Sequence, residues 1–288
     1  MPYCRKCGAE LPAAANFCAK CGTPVAEGEA VPARQHQTLK VAGKPKVVIV
    51  NRAPGHVDVK AAGEGEVTVD LDLKEPEDLD WNVSQEGNTV SIKCRALVHP
   101  FRWPHYFVSG GPRADITVSV PKEADLELDA SLDQVTVNGI KGTATVESSV
   151  AKVFIGNCEG TIKANGKTGA IDLQNITGAV TVDSTTGPVT LENVNGTVSV
   201  RNTTGPIRFV GALSGGENWF RTSTGSIELK LTGKSDLTVE AYSHLGRVTC
   251  IPELADARYE RGQYMGRIGA GTGKLIAETQ TGSITIRQ

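Results

Sequence analysis

The amino-acid sequence predicts an all-β chain whose main part is a single-stranded β-helix, a β-solenoid with about 18 residues per coil. Glycines stand at 160, 169, 178, 187, 196 and 205, each nine residues after the last, with Gly142 on the same grid and Ala151 substituting once. Such self-similarity at a fixed period marks a repeat architecture. Apolar residues alternate with polar ones in short runs, as in Val57-Asp58-Val59 and Val67-Thr68-Val69-Asp70-Leu71, which is the period-two pattern of half-buried strands. Composition agrees, because 32 glycines and only 5% aromatic residues suit many short strands and tight turns better than packed helices.

The nine-residue units come in two kinds. One is Ser/Thr-Thr-Gly-x-Ile/Val-x-Leu, as in Thr185-Thr186-Gly187-Pro188-Val189-Thr190-Leu191; the other is Asn-x-x-Gly-x-Val-x-Val, as in Asn193-Val194-Asn195-Gly196-Thr197-Val198-Ser199-Val200. The full period is therefore eighteen. Down that period run rows of like residues: Val135, Val153, Ile171, Val189, Ile207; then Val137, Ile155, Leu173, Leu191, Phe209; then Ile162, Val180, Val198. These rows are expected if each coil carries two short strands whose inward side chains stack on the coils above and below. A further row, Ile140, Cys158, Ile176, Val194, Ala212, makes Cys158 a small buried hydrophobe, and Cys94 and Cys250 fall on the inward phase of their strands. Asn157, Asn175 and Asn193 recur at turns every eighteen residues, as a stacked amide ladder would require. The grid slips by two around Ser214 to Glu217 and ends with Thr281-Gly282-Ser283-Ile284-Thr285-Ile286, so the coils are expected to run to the last residue.

At the N-terminus, Cys4-Arg5-Lys6-Cys7-Gly8 is followed, after a ten-residue spacer, by Cys18-Ala19-Lys20-Cys21-Gly22. Two such knuckles supply four thiolates that close a tetrahedron around one Zn²⁺, leaving no position for water or substrate; the implied site is structural. Metal binding would also provide the folding energy that so short a segment lacks. A disulfide pair or a redox centre is the weaker alternative, since the knuckle is duplicated and no βαβ unit surrounds it. Residues 1–25 resemble the short zinc ribbons found at the N-termini of many bacterial proteins. Residues 26–45, rich in Pro, Ala, Glu and Gln, read as a flexible linker, and residues 46–288 as the solenoid. On its repeated Thr-Gly-x-Ile/Val-x-Leu/Val units, this last part resembles the bacterial putative-adhesin family of β-strand-repeat domains, a domain of unknown function. The resemblance implies a surface role.

The formal net charge is −2 and no Lys/Arg-rich run occurs, so no nucleic-acid partner is expected. Met1-Pro2-Tyr3-Cys4 opens no charged-then-apolar segment and no stretch reaches the ~18 apolar residues of a membrane helix. The chain reads as cytoplasmic, without membrane insertion.

An enzymatic β-helix would cluster carboxylates and basic residues on an outward face. The outward rows Thr136, Phe154, Asp172, Thr190, Arg208 and Glu147, Asn165, Asp183, Arg201 stack no two carboxylates on adjacent coils, and Asp183 with Arg201 should form an ordinary cross-strand ion pair. Calcium is not expected, because the turns carry Thr, Pro and Asn in place of regular Asp. His99 and His105 lack a ligand cluster. The aromatic stretch Phe101 to Phe107 is either a plug on the column or a docking patch. The expectation is a non-enzymatic binding or scaffold protein with protein partners. A cytoskeleton-like protein self-associating through its solenoid ends, chiefly its final strand, is one alternative; a carbohydrate-active β-helix enzyme built on Asp172, Asp183 and Arg208 is another.

Overall fold

The computed structural model describes residues 33–97, 110–233, 235–251, 254–260 and 262–288. In chain order the N-terminal strands are β1 (Arg34–Lys40), β2 (Lys46–Arg52), β3 (Val57–Ala61) and β4 (Glu66–Lys74). A single 3-10 turn, Pro76–Asp78, leads to β5 (Leu79–Glu86), β6 (Thr89–Ala96) and β7 (Arg113–Val120). The central strands are β8 (Asp125–Asn138), β9 (Lys141–Gly156), β10 (Glu159–Thr168), β11 (Ile171–Thr186), β12 (Val189–Thr204) and β13 (Ile207–Leu213). Then come β14 (Glu217–Thr224), β15 (Ile227–Leu231), β16 (Leu237–Leu245), β17 (Val248–Ile251), β18 (Ala255–Glu260), β19 (Gln263–Ile268), β20 (Gly273–Thr281) and β21 (Ile284–Arg287).

The centre is the predicted solenoid. Val135 pairs with Val153, Val153 with Ile171, Ile171 with Val189 and Val189 with Ile207, each eighteen residues on and all parallel. Ile162, Val180 and Val198 align likewise on the opposite wall. All these side chains are at most 2% exposed, and each buried Val, Ile or Leu contributes on the order of 1.5–3 kcal/mol. The row through Cys158 ends differently from the expectation. A bulge after Glu192 sets Val194 against Gly211, not Ala212, and this approach demands glycine at 211, where a Cβ would lie 1.9 Å from the Val194 carbonyl oxygen. The slip of two is also present: Ser199 pairs with Trp219, twenty residues on. Asn218, fully buried there, accepts a hydrogen bond from the Val198 amide and donates to the Ser214 and Lys274 carbonyls.

Close backbone approach governs the corners. A Cβ at Gly196 would sit 1.8 Å from the Gly178 oxygen, one at Gly178 2.0 Å from Gly160, and one at Gly160 2.2 Å from Gly142. A second glycine column, Gly169, Gly187, Gly205, Gly225 and Gly282, stacks equally tightly. The amide ladder forms: Asn193 donates to Asn175 (2.8 Å), Asn175 to Asn157 (2.9 Å) and Asn157 to Asn138 (3.0 Å). Asn157, Asn175 and Asn193 all hold φ of 54°, the left-handed region that Asn tolerates better than most residues.

Strand order departs from simple coiling at both ends. The C-terminal pair β20 and β21 does not finish the column. It is inserted, with β20 between β14 and β16 and β21 between β15 and β17. Coils therefore do not simply run on to the last residue, and the final strand is paired on both sides. This corrects the expectation that it offers a free edge for self-association. At the N-terminal end β2 lies between β6 and β8, and β3 between β7 and β8. Antiparallel strands then close both walls, β5 on β6 and β4 then β1 on β7. Thus part of the segment read as linker, 26–45, is strand: β1 pairs along its length with β4, and Leu39 packs against the core. Its Gln-rich polar sequence hid a one-sided edge strand. The wall containing β16 ends in two antiparallel strands, β19 and β18.

Gly196→Ala is expected to lose at least about 2 kcal/mol of unfolding free energy in urea. Gly43, whose φ is also positive but which faces open space, should tolerate Ala at a cost of about 1 kcal/mol. Equal losses would show that corner contact is not what demands glycine.

Candidate functional site

The four cysteines read as zinc ligands, Cys4, Cys7, Cys18 and Cys21, lie outside the described residues, as do His99, His105 and the Phe101–Phe107 stretch. The remaining cysteines are free thiols. Cys158 is buried and its Sγ lies 3.1 Å from the Gly156 oxygen. Burial and then Asp80 push Cys94 up to about 11, and burial alone does the same for Cys250. Neither is a nucleophile near neutral pH.

The outward rows come together as read from the sequence, but with different partners. Asp172 lies between Phe154 and Thr190 and pairs with Lys152 at 3.6 Å. Asp183 is the register neighbour of Arg201, yet the two are not within ion-pair distance, which corrects the expected bridge. The slip of two brings Arg221 alongside Arg201 and Trp219 alongside Ser199. Asp183, Ser199, Arg201, Trp219 and Arg221 consequently line a shallow recess of about 300 Å³. The Arg221 guanidinium stacks 5.3 Å from the Trp219 ring centre and bonds Glu278 at 2.7 Å. Arg201 is exposed and has no ion pair among the described residues. The wall thus presents one anchored guanidinium, one free guanidinium and an aromatic face, a combination suited to carboxylates on an extended ligand. Sequence reading named Arg201 and Asp183 but passed over Trp219 and Arg221. Their place beside Arg201 was already implied by the slip, though only a chain-to-chain register turns it into a site.

A second recess, of about 530 Å³, is lined by Arg34, His36, Asp70, Asp72, Asp115 and Thr117. Here Asp72 stands opposite Asp115, two carboxylates on adjacent strands, which the eighteen-residue grid did not reveal because β4 and β7 run antiparallel outside it. Asp72 pairs with Arg34 at 3.3 Å and Asp115 with Arg113 at 3.2 Å, while Asp70 is hydrogen-bonded to the His36 ring at 2.6 Å. Burial alone would raise the Asp115 pKa, but the His56 amide and Arg113 outweigh it and hold the carboxyl below its ordinary range. A carboxyl so held is the opposite of a general acid. No group of three His, Cys, Asp or Glu side chains suited to a metal ion occurs among the described residues. No helix among them is long and apolar enough to cross a membrane.

Stacked parallel coils with glycine corners and antiparallel ends define a β-solenoid domain. The chain belongs to the Toastrack DUF4097 family, whose family model matches residues 48–287. A zinc-ribbon domain matches residues 3–25. Among solved structures, a putative cell adhesion protein from Clostridium sporogenes ATCC 15579 is similar at 11% identity and a TM-score of 0.28, over 88% of this chain and 99% of that one. A putative adhesin from Bacteroides fragilis NCTC 9343 is similar at 12% identity and a TM-score of 0.40, over 88% and 96%. A putative lipid binding protein from Parabacteroides distasonis ATCC 8503 gives 12% and 0.35 over the same shares. No curated protein matches the chain.

Asp115 makes a pH prediction. Its folded pKa is depressed, so its contribution is present above the unfolded value of about 3.9 and is lost as pH falls through the folded value. Denaturation of wild type and Asp115→Asn should differ at pH 7 and converge below about pH 4. A gap that widens in acid would reverse the assignment.

Proposed function

We propose that the protein is a non-enzymatic binding or scaffold protein, in which the solenoid wall around Trp219 receives an acidic segment of a partner protein and the N-terminal ribbon forms a second, independent docking element. The observation that carries this reading is the free Arg201 guanidinium beside the Arg221–Trp219 stack on a rigid, fully paired wall. Rigidity matters because little ordering entropy is lost on binding. The arginine-paired carboxylates of the other recess, Asp72 and Asp115, favour binding over acid–base chemistry.

Cys4, Cys7, Cys18 and Cys21 would hold one structural Zn²⁺, a reading supported by the ribbon match and by a donor set of four thiolates. A cytoplasmic location is consistent with that set and with unpaired cysteines throughout the described solenoid. With a net charge of −2 the chain has no overall attraction for nucleic acid.

Binding of a labelled Asp/Glu-rich peptide should weaken about tenfold in Arg201→Ala and with rising salt. An unchanged affinity in Arg201→Glu would sink the site. Metal analysis should find about one zinc per chain and none in the Cys18→Ser, Cys21→Ser variant; zinc retained by that variant would remove the ribbon assignment.

A further inference from the structure

The two ends of the solenoid are finished differently. At the N-terminal end the last strands are polar: β1 reads RQHQTLK and β5 reads LDWNVSQE, the kind of edge that resists pairing with another chain. At the other end β17, reading VTCI, is the last strand of its wall and pairs only with β21 among the described residues. The neighbouring wall continues past β16 by two strands, β19 and β18. The end is therefore a step, with an open strand on the low side and a hairpin on the high side. Leu254 is 9% exposed, at the edge of the core. Around the step, Leu245 (64% exposed), Ile251 (55%) and Tyr259 (59%) remain in solvent, joined by Tyr242 on β16 at 36%. These are four of the six exposed large apolar residues among those described; the other two, Leu132 and Val150, face each other at a mid-column corner.

We propose that this step is the interface of a two-fold dimer, in which β17 of each copy pairs with β18 of the other. A step of this form complements itself. A two-fold axis parallel to the strands exchanges the two walls, so that the high side of one copy fills the low side of its mate. Strand direction fits as well. β17 follows β16 around a corner and runs against it, whereas β18 runs with β16 after two antiparallel steps. The axis preserves direction, so β17 meets the partner's strand antiparallel, a pairing with favourable hydrogen-bond geometry. In that arrangement Arg247, just before β17, faces the C-terminal end of the opposing β18, where Glu260 stands. Both side chains are exposed and neither has an ion pair among the described residues. The contact is isologous and uses one end only, and the polar opposite end cannot extend it. The assembly is accordingly a closed dimer and not a filament.

This inference goes beyond the Trp219 recess and uses different residues, so each can fail alone. The test is sedimentation equilibrium of the full chain over a hundredfold concentration range. Wild type should fit a monomer–dimer equilibrium with no larger species. Ile251→Lys and Leu245→Glu should each raise the dissociation constant at least tenfold, while the equally exposed Val150→Lys leaves it unchanged. Arg247→Glu and Glu260→Arg should each weaken the dimer, and the two together should restore it to within threefold. Trp219→Ala should dimerise normally, and Ile251→Lys should still bind the acidic peptide. A wild type that is monomeric throughout, masses that climb past the dimer, or no restoration by the charge exchange would each overturn the proposal. So would protease protection of residues 1–32 that is lost in Ile251→Lys, because the N-terminal segment would then be the occupant.

Discussion

At each corner of the column the backbone of one coil rests directly on the backbone of the next, and the rest of the structure follows from that contact. The gap between Gly178 and Gly196, or between Gly187 and Gly205, has no room for a Cβ. Glycine at the corner lets adjacent walls keep ladder spacing all the way around, so every inward Val, Ile or Leu lands on its counterpart. Three residues before each glycine of the first column, Asn supplies the left-handed conformation together with a side-chain amide that bonds its neighbour above and below. Corner geometry and core packing are therefore one requirement expressed at two kinds of position.

The same contact creates a problem that an internal polar column solves. Along the column of Gly187, Gly205, Gly225 and Gly282 the corner carbonyls are met by side chains and not by the ladder, and an unmet buried acceptor would cost about 1–3 kcal/mol. Asn202 donates to the Gly187 and Gly205 oxygens, Thr222 to Gly205, Thr279 to Gly225 and Ser243 to Gly282. These residues lie in register, Asn202 on Thr222, Thr222 on Thr279, Thr279 on Ser243. A wall held at its corners in this way is a stiff platform. Outward side chains such as Trp219, Arg201 and Arg221 can then be displayed without the wall yielding beneath them.

Ends impose the opposite demand. A stack of parallel strands must stop somewhere, and each stop exposes backbone groups. At one end antiparallel polar strands cover both walls; at the other, among the described residues, a hairpin covers only one. Chain order is rearranged as well, since β20 and β21 return to fill a slot that β16 and β17 had left open. The last residues are thereby held between two neighbours instead of fraying.

Much of this was legible in the residues themselves. Period and row composition follow from Gly160 through Gly205 and from Val153, Ile171 and Val189, because neighbours one coil apart must be chemically alike to share a core. The Asn ladder was legible for the same reason, and Cys158 could be placed by the row it sits in. Trp219 and Arg221 were not, for outward positions obey no stacking rule and acquire meaning only beside Arg201. Nor were Asp72 and Asp115, whose strands meet antiparallel outside the grid. The sequence by itself determined the coil, its corners and its core, since these depend on contacts at a constant separation along the chain. Only the tertiary structure decided which strand fills which slot, where β1 ends the wall and which side chains share a recess, since those contacts span variable separations that no local pattern encodes.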